Sequence, residues 1–145
     1  MTTTSRHSAR IAAIQALYAH RQNPDHAIKE CVEDIKSLQR EQASITPADH
    51  AFLMQLAVET SVQKERWDGL IAPRLTSGWT LTRLPMMLHL ILQAGCCELA
   101  LFPEVPYKAV IDEYLTLTRA FGMEKEVPFV NGLLDGVRKE VRIAG

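Results

Sequence analysis

Residues 86–102 read MMLHLILQAGCCELALF, an apolar run broken only by His89, Gln93 and Glu98. A membrane-spanning helix needs about 20 predominantly apolar residues. This run is shorter and carries three polar groups, so it is read as a buried helix. It is apolar nearly all round, which places it at the centre of a helical core. Pro85 opens it, and Pro103 and Pro106 bracket the turn that follows. His89, Gln93 and Cys97 recur every four residues and so share one side of the helix. They form either a buried hydrogen-bonding stripe or a seam for a partner protein, which makes His89 and Gln93 candidate partner contacts.

Working outward, strand signals are scarce and helix punctuation is plentiful, so the fold class is all-α. A first helix is expected from about Arg6 to Arg21. Asn23-Pro24 has the form of a cap and a proline at the first helical position, predicting a second helix from there to about Leu38. Gln39 to Ser44 is polar and reads as a loop. Thr46-Pro47 repeats the cap-plus-proline signal. The helix it opens continues, bent or broken, to Leu75, with Ser77-Gly78 as the stop. Val110, Ile111, Tyr114, Leu117 and Phe121 give a one-sided helix ending at Gly122. Val130, Leu133, Leu134, Val137 and Val141 give another from about Pro128. Six or seven helices around one or two small cores result.

The chain has 145 residues, 47% hydrophobic and 23% charged, with a formal net charge of −1. That length suits a single domain over residues 1–145 with a real core. No overall electrostatic pull on nucleic acid follows from such a balance. Its distribution is uneven, however: residues 1–24 hold three arginines and no acid, whereas 25–68 hold nine acids against five bases. Cys31, Cys96 and Cys97 are neither a disulfide framework nor a spaced metal site, and reduced buried thiols are expected. The five histidines lack ligand spacing, so no metal or other cofactor is expected. There is no nucleophile elbow, phosphate loop or dinucleotide fingerprint. An apolar setting raises the thiol pKa of Cys96 and Cys97, which argues against a nucleophile. No secretory leader is apparent, and the expected compartment is the cytoplasm. The chain is therefore read as a binding protein rather than an enzyme.

The basic N-terminus carries the functional signal. Arg6 and Arg10 lie one turn apart with His7 beside them, and could hold phosphates. The alternative is a solvated first turn. Ala9, Ala12, Ala13, Ala16 and Ala19 would let a neighbouring helix approach closely. Tyr18 either packs or stacks an unpaired base. Gln15, on an otherwise apolar helix, needs hydrogen-bond partners if buried.

Five blocks, ARIAAIQALYA near the start, DGLI at 68–71, LILQAGCCEL at 90–99, VPYKAVIDEYLTLTRAFG at 105–122 and FVNGLLD at 129–135, together resemble the NusB family of bacterial transcription antitermination factors. The resemblance implies seven helices in two small helical subdomains. It implies binding of the boxA RNA segment of ribosomal-RNA leader transcripts, together with a small-subunit ribosomal protein that serves as NusE. NusA, NusG and RNA polymerase complete the complex, and neither catalysis nor a cofactor nor a membrane is involved. The family's RNA-facing segments fall here on Arg6, His7, Arg10, Gln15 and Tyr18, and on Phe121, Gly122 and the following loop with Lys125. The resemblance further implies that these two regions form one surface.

The chain also departs from the family pattern. It keeps two arginines where many members have a longer basic cluster, so RNA affinity of the isolated protein is expected to be low. Gln93 stands where an arginine is usual and Cys97 where a tyrosine is. Two other functions compete: a protein-interaction scaffold that never touches RNA, and a free-standing relative of the N-terminal domain of ribosomal-RNA cytosine methyltransferases. For the latter, the chain offers no room for a methyl-donor domain. Monomer and homodimer are both compatible with the sequence.

Overall fold

The computed structural model describes residues 5–39, 45–76 and 78–142. Among these there are seven α-helices and no strand. The chain divides into two compact units, Met1–Val62 and Gln63–Gly145.

The first unit holds α1 (Ser5–Gln22), α2 (Ile28–Gln39) and α3 (Pro47–Val62). Ala9, Ala12, Ala13 and Ala16 are fully buried, and α1 packs on both other helices along this small-residue side. Cys31, Val32, Leu53, Leu56 and Ala57 complete the core. Thr46 caps α3 as expected, its Oγ1 accepting the Asp49 N–H at 3.2 Å. Asn23-Pro24 does the opposite of what its form suggests. The Asn23 N–H reaches back to the Ala19 carbonyl at 3.1 Å and the His26 N–H reaches the Asn23 carbonyl at 3.0 Å. The pair thus closes α1 in a turn, and α2 begins only at Ile28. Gln39 ends α2, and the rest of the loop expected there, residues 40–44, lies outside the described residues.

The second unit holds α4 (Lys64–Ile71), α5 (Met86–Leu101), α6 (Tyr107–Ala120) and α7 (Val127–Val141). The long third pattern is indeed broken, at Gln63, and it ends in a short 3-10 turn at Ala72–Arg74. Of the stop expected at Ser77-Gly78, Ser77 lies outside the described residues and Gly78 has φ +87°. Every residue of α5 from Leu88 to Leu99 is buried, and α6 and α7 both pack on it. Gly95 permits the close approach of α7, since a Cβ there would lie 3.0 Å from Leu134 Cδ2. Cys96 and Cys97 are both fully buried, and burial pushes the Cys96 thiol up, away from reactivity. No helix among the described residues is long and apolar enough to cross a membrane.

Polar groups inside this unit are paired. The Tyr114 hydroxyl donates to Glu98 Oε1 at 2.9 Å, both residues being wholly buried. Arg142 places its guanidinium over the carbonyl end of α5, donating to Leu99 O at 2.8 Å and Phe102 O at 2.9 Å, and also to Val105 O. The Leu99 carbonyl would otherwise lack its helical donor, because the residue four ahead is Pro103. Burial lowers the Arg142 pKa, the acids Glu98 and Glu104 opposing it, and the side chain stays a cation at any ordinary pH.

Candidate nucleic-acid interface

The N-terminal arginines are built into the first unit. Arg6 Nε donates to Asp49 Oδ1 at 2.7 Å, and the Arg6 guanidinium carbon lies 4.0 Å above the centroid of the Phe52 ring. Arg10 lies over the same ring at 5.3 Å. The Thr46 N–H donates to Ser5 Oγ at 2.9 Å, fastening the start of α1 to that of α3. Burial works against the Asp49 charge, but hydrogen bonds from Ser5, Arg6 and Thr46 and the Arg6 charge outweigh it. The carboxyl is held below its ordinary range.

This arrangement corrects the sequence reading at Arg10. That residue is only 4% exposed, because positions 6 and 10 share the side of α1 that turns toward Phe52. Its guanidinium faces the ring rather than solvent. The accessible stripe of α1 is a different one. His7, Ile11 and Gln15 are half-buried and Tyr18 is 39% exposed, at spacings of four, four and three that follow one side of a helix. Part of the Tyr18 side chain is therefore open to solvent and the rest is packed.

In the second unit, the predicted segment follows α6. Gly122, at φ +83°, lets the chain reverse: its N–H donates to Arg119 O at 2.9 Å and the Met123 N–H to Thr118 O at 3.0 Å. That is a Schellman closure, which requires a left-handed residue where the helix stops. Phe121 is half-buried just before it, and Lys125 is exposed in the 3-10 turn Glu124–Glu126. Arg119 Nε stands 3.5 Å from Glu124 Oε2.

His89 and Gln93 are not at a surface. Each is only 5% exposed, and both reach Asp68 Oδ1, His89 Nε2 at 2.7 Å and Gln93 Nε2 at 3.0 Å. They are the buried hydrogen-bonding stripe, and their side chains offer a partner almost nothing to touch. The amide at position 93 can still meet the Asp68 carboxylate, joining α5 to α4 without an arginine.

Residues 7–139 match the sequence profile of the NusB family. The chain belongs to the NusB family. It is 38% identical over 141 residues to a transcription antitermination protein NusB of Novosphingobium aromaticivorans, with 95% of each sequence covered. Its fold is similar to that of T. maritima NusB, with a TM-score of 0.83, 26% identity and coverage of 97% of this chain and 94% of that one. A structure described as antitermination factors NusB and NusE in complex with dsRNA shares the fold at a TM-score of 0.80 and 21% identity, covering 96% of this chain and 99% of that one. The expected all-α family fold is thus the observed one. Asp49 and Phe52 are the residues that sequence reasoning missed as members of this cluster. Asp49 is the third residue after a Thr cap, a position where an acid is favoured for the helix alone. Phe52 reads as one more core position of α3.

Proposed function

We propose that this NusB-family chain is an RNA-binding antitermination factor. Together with a small-subunit ribosomal protein acting as NusE, it holds the boxA segment of ribosomal-RNA leader transcripts and joins NusA, NusG and RNA polymerase in the cytoplasm. It works by binding and not by catalysis. The observation that carries this reading is the family match over residues 7–139. It is supported by the names of the relatives and by the NusB and NusE complex with RNA that shares this fold.

The chemistry of α1 fits the role. Tyr18 offers a ring face to an unpaired base, and His7 and Gln15 lie on the same side of the helix. Arg6 can meet a phosphate, while Phe121, Gly122 and Lys125 provide a second contact segment. With Arg10 turned inward, the isolated chain should bind RNA weakly, and the ribosomal partner should supply much of the complex's affinity.

Binding of a boxA oligonucleotide, measured by fluorescence anisotropy with and without the ribosomal protein, tests this. Stacking on one base is worth about 1–3 kcal/mol. Tyr18→Ala should therefore weaken RNA binding of the folded protein by at least fivefold, with only a modest fall in melting temperature from the packing it loses. Capture of the ribosomal protein with no RNA binding under any salt condition would favour the scaffold reading instead.

A further inference from the structure

We propose that Asp49 competes with RNA for Arg6 and thereby sets the chain's RNA affinity. The proposal rests on the RNA-binding reading above.

Three observations lead to it. Arg6 is the cation of the α1 pair that keeps solvent access, its side chain being 37% exposed against 13% for that of Asp49. Among the described residues, Asp49 is the carboxylate that meets it, at Nε, and the guanidinium face rests on Phe52. The terminal nitrogens of Arg6 are not used by that ion pair, and a guanidinium can hold two oxyanions along different edges. A phosphate can therefore reach Arg6 without unstacking it from Phe52. It approaches a neutral pair rather than a free cation, and it meets the carboxylate's repulsion at short range. An arginine already neutralised by a fixed carboxylate also displaces little of the counterion condensed on the RNA phosphates, so it adds little to the salt dependence of binding.

Asp49 is not an incidental surface acid. It is fixed by the cap of α3 and by Ser5, Thr46 and Arg6 together, so it cannot swing aside as RNA arrives. The consequence is a built-in damper: the first unit presents Arg6 at reduced strength, and stable RNA capture depends on contacts added by the partner.

The test is Asp49→Asn, which keeps the shape and the hydrogen-bond acceptor and removes the charge. Asp49→Gln is the second variant; it still suits the third position of a capped helix. RNA binding of each, with the ribosomal partner present, is measured across a salt series. Removing the competitor should tighten binding about three- to fivefold, the size of a half-exposed ion pair, and steepen the log–log salt slope by about 0.7. Arg6→Ala should cost at least threefold more affinity in the Asp49→Asn background than in the natural one, as a double-mutant cycle reads it. Weaker binding by both folded Asp49 variants would show that Asp49 positions Arg6, and would overturn the proposal. Unchanged affinity and slope would mean that Arg6 does not meet RNA, with the same result. If no protein binds RNA, the unaltered chain included, the RNA-binding reading itself falls and takes this proposal with it.

Discussion

The two units place their ion-paired and hydrogen-bonded clusters at different depths, although Arg10 in the first is buried as well. In Gln63–Gly145 they are taken inside and closed off: Glu98 on Tyr114, Asp68 on His89 and Gln93, and Arg142 on the end of α5. In Met1–Val62 the main polar cluster, Arg6 with Asp49 over Phe52, sits where solvent still reaches it. A buried pair that loses a partner leaves a group with no replacement from water, whereas a rim pair can trade its partner for another ion. The interior pairs therefore hold the fold, and the rim pair is suited to binding.

The sharpest way to break this contrast is Tyr114→Phe. It deletes the hydroxyl from a wholly buried carboxylate and should destabilise the chain by about 2–3 kcal/mol. Denaturant unfolding followed by tryptophan fluorescence reads the loss directly, because Trp67 and Trp79 both lie in the second unit. RNA affinity of the folded protein should not move. An equal loss of RNA affinity would dissolve the distinction between interior and rim.

A smaller effect is expected at Gly122, where the second unit does reach the surface. A Cβ there meets nothing within 4 Å, so Gly122→Ala should cost only the strain of a left-handed residue, about 1 kcal/mol. A much larger cost in the same unfolding assay would mean that this turn is packed rather than merely bent.

The smallest effect belongs to the rim pair under acid. The Asp49 pKa is lowered in the folded chain, so the pair's favourable contribution is fully present above the unfolded carboxylate value, about 3.9. It is lost as pH falls through the lower folded value. Because Arg6 is partly exposed, that contribution should stay under about 1 kcal/mol. Comparing the acid limb of the natural chain with that of Asp49→Asn isolates it, and identical limbs would show that the ion pair adds nothing to stability.

Most helix boundaries were legible because proline, glycine and capping residues act locally. Thr46-Pro47, Pro85 and Gly122 mean the same thing in the fold as in the string. Asn23-Pro24 misled because proline both opens one helix and forbids continuation of another, and the backbone bonds to Ala19 and from His26 settled for the second use. The site was less legible for a different reason. Helical spacing placed Arg6 and Arg10 on one side of α1, but which side faced inward depended on Phe52, on another helix. The alanine pattern identified a packed side without showing how far it extended, so the burial of Arg10 and the exposure of Tyr18 lay beyond it. His89 and Gln93 were ambiguous for the same reason, until Asp68 supplied the acceptor for both.

The position of Arg142 in the chain has a consequence for synthesis. The first unit's fastening, Arg6 on Asp49, is available once about a third of the chain has emerged from the ribosome. The carbonyls at the end of α5, by contrast, wait for an arginine 43 residues beyond Leu99. At roughly 5–20 residues per second, the N-terminal unit has several seconds in which to settle before the Leu99 carbonyl receives its donor.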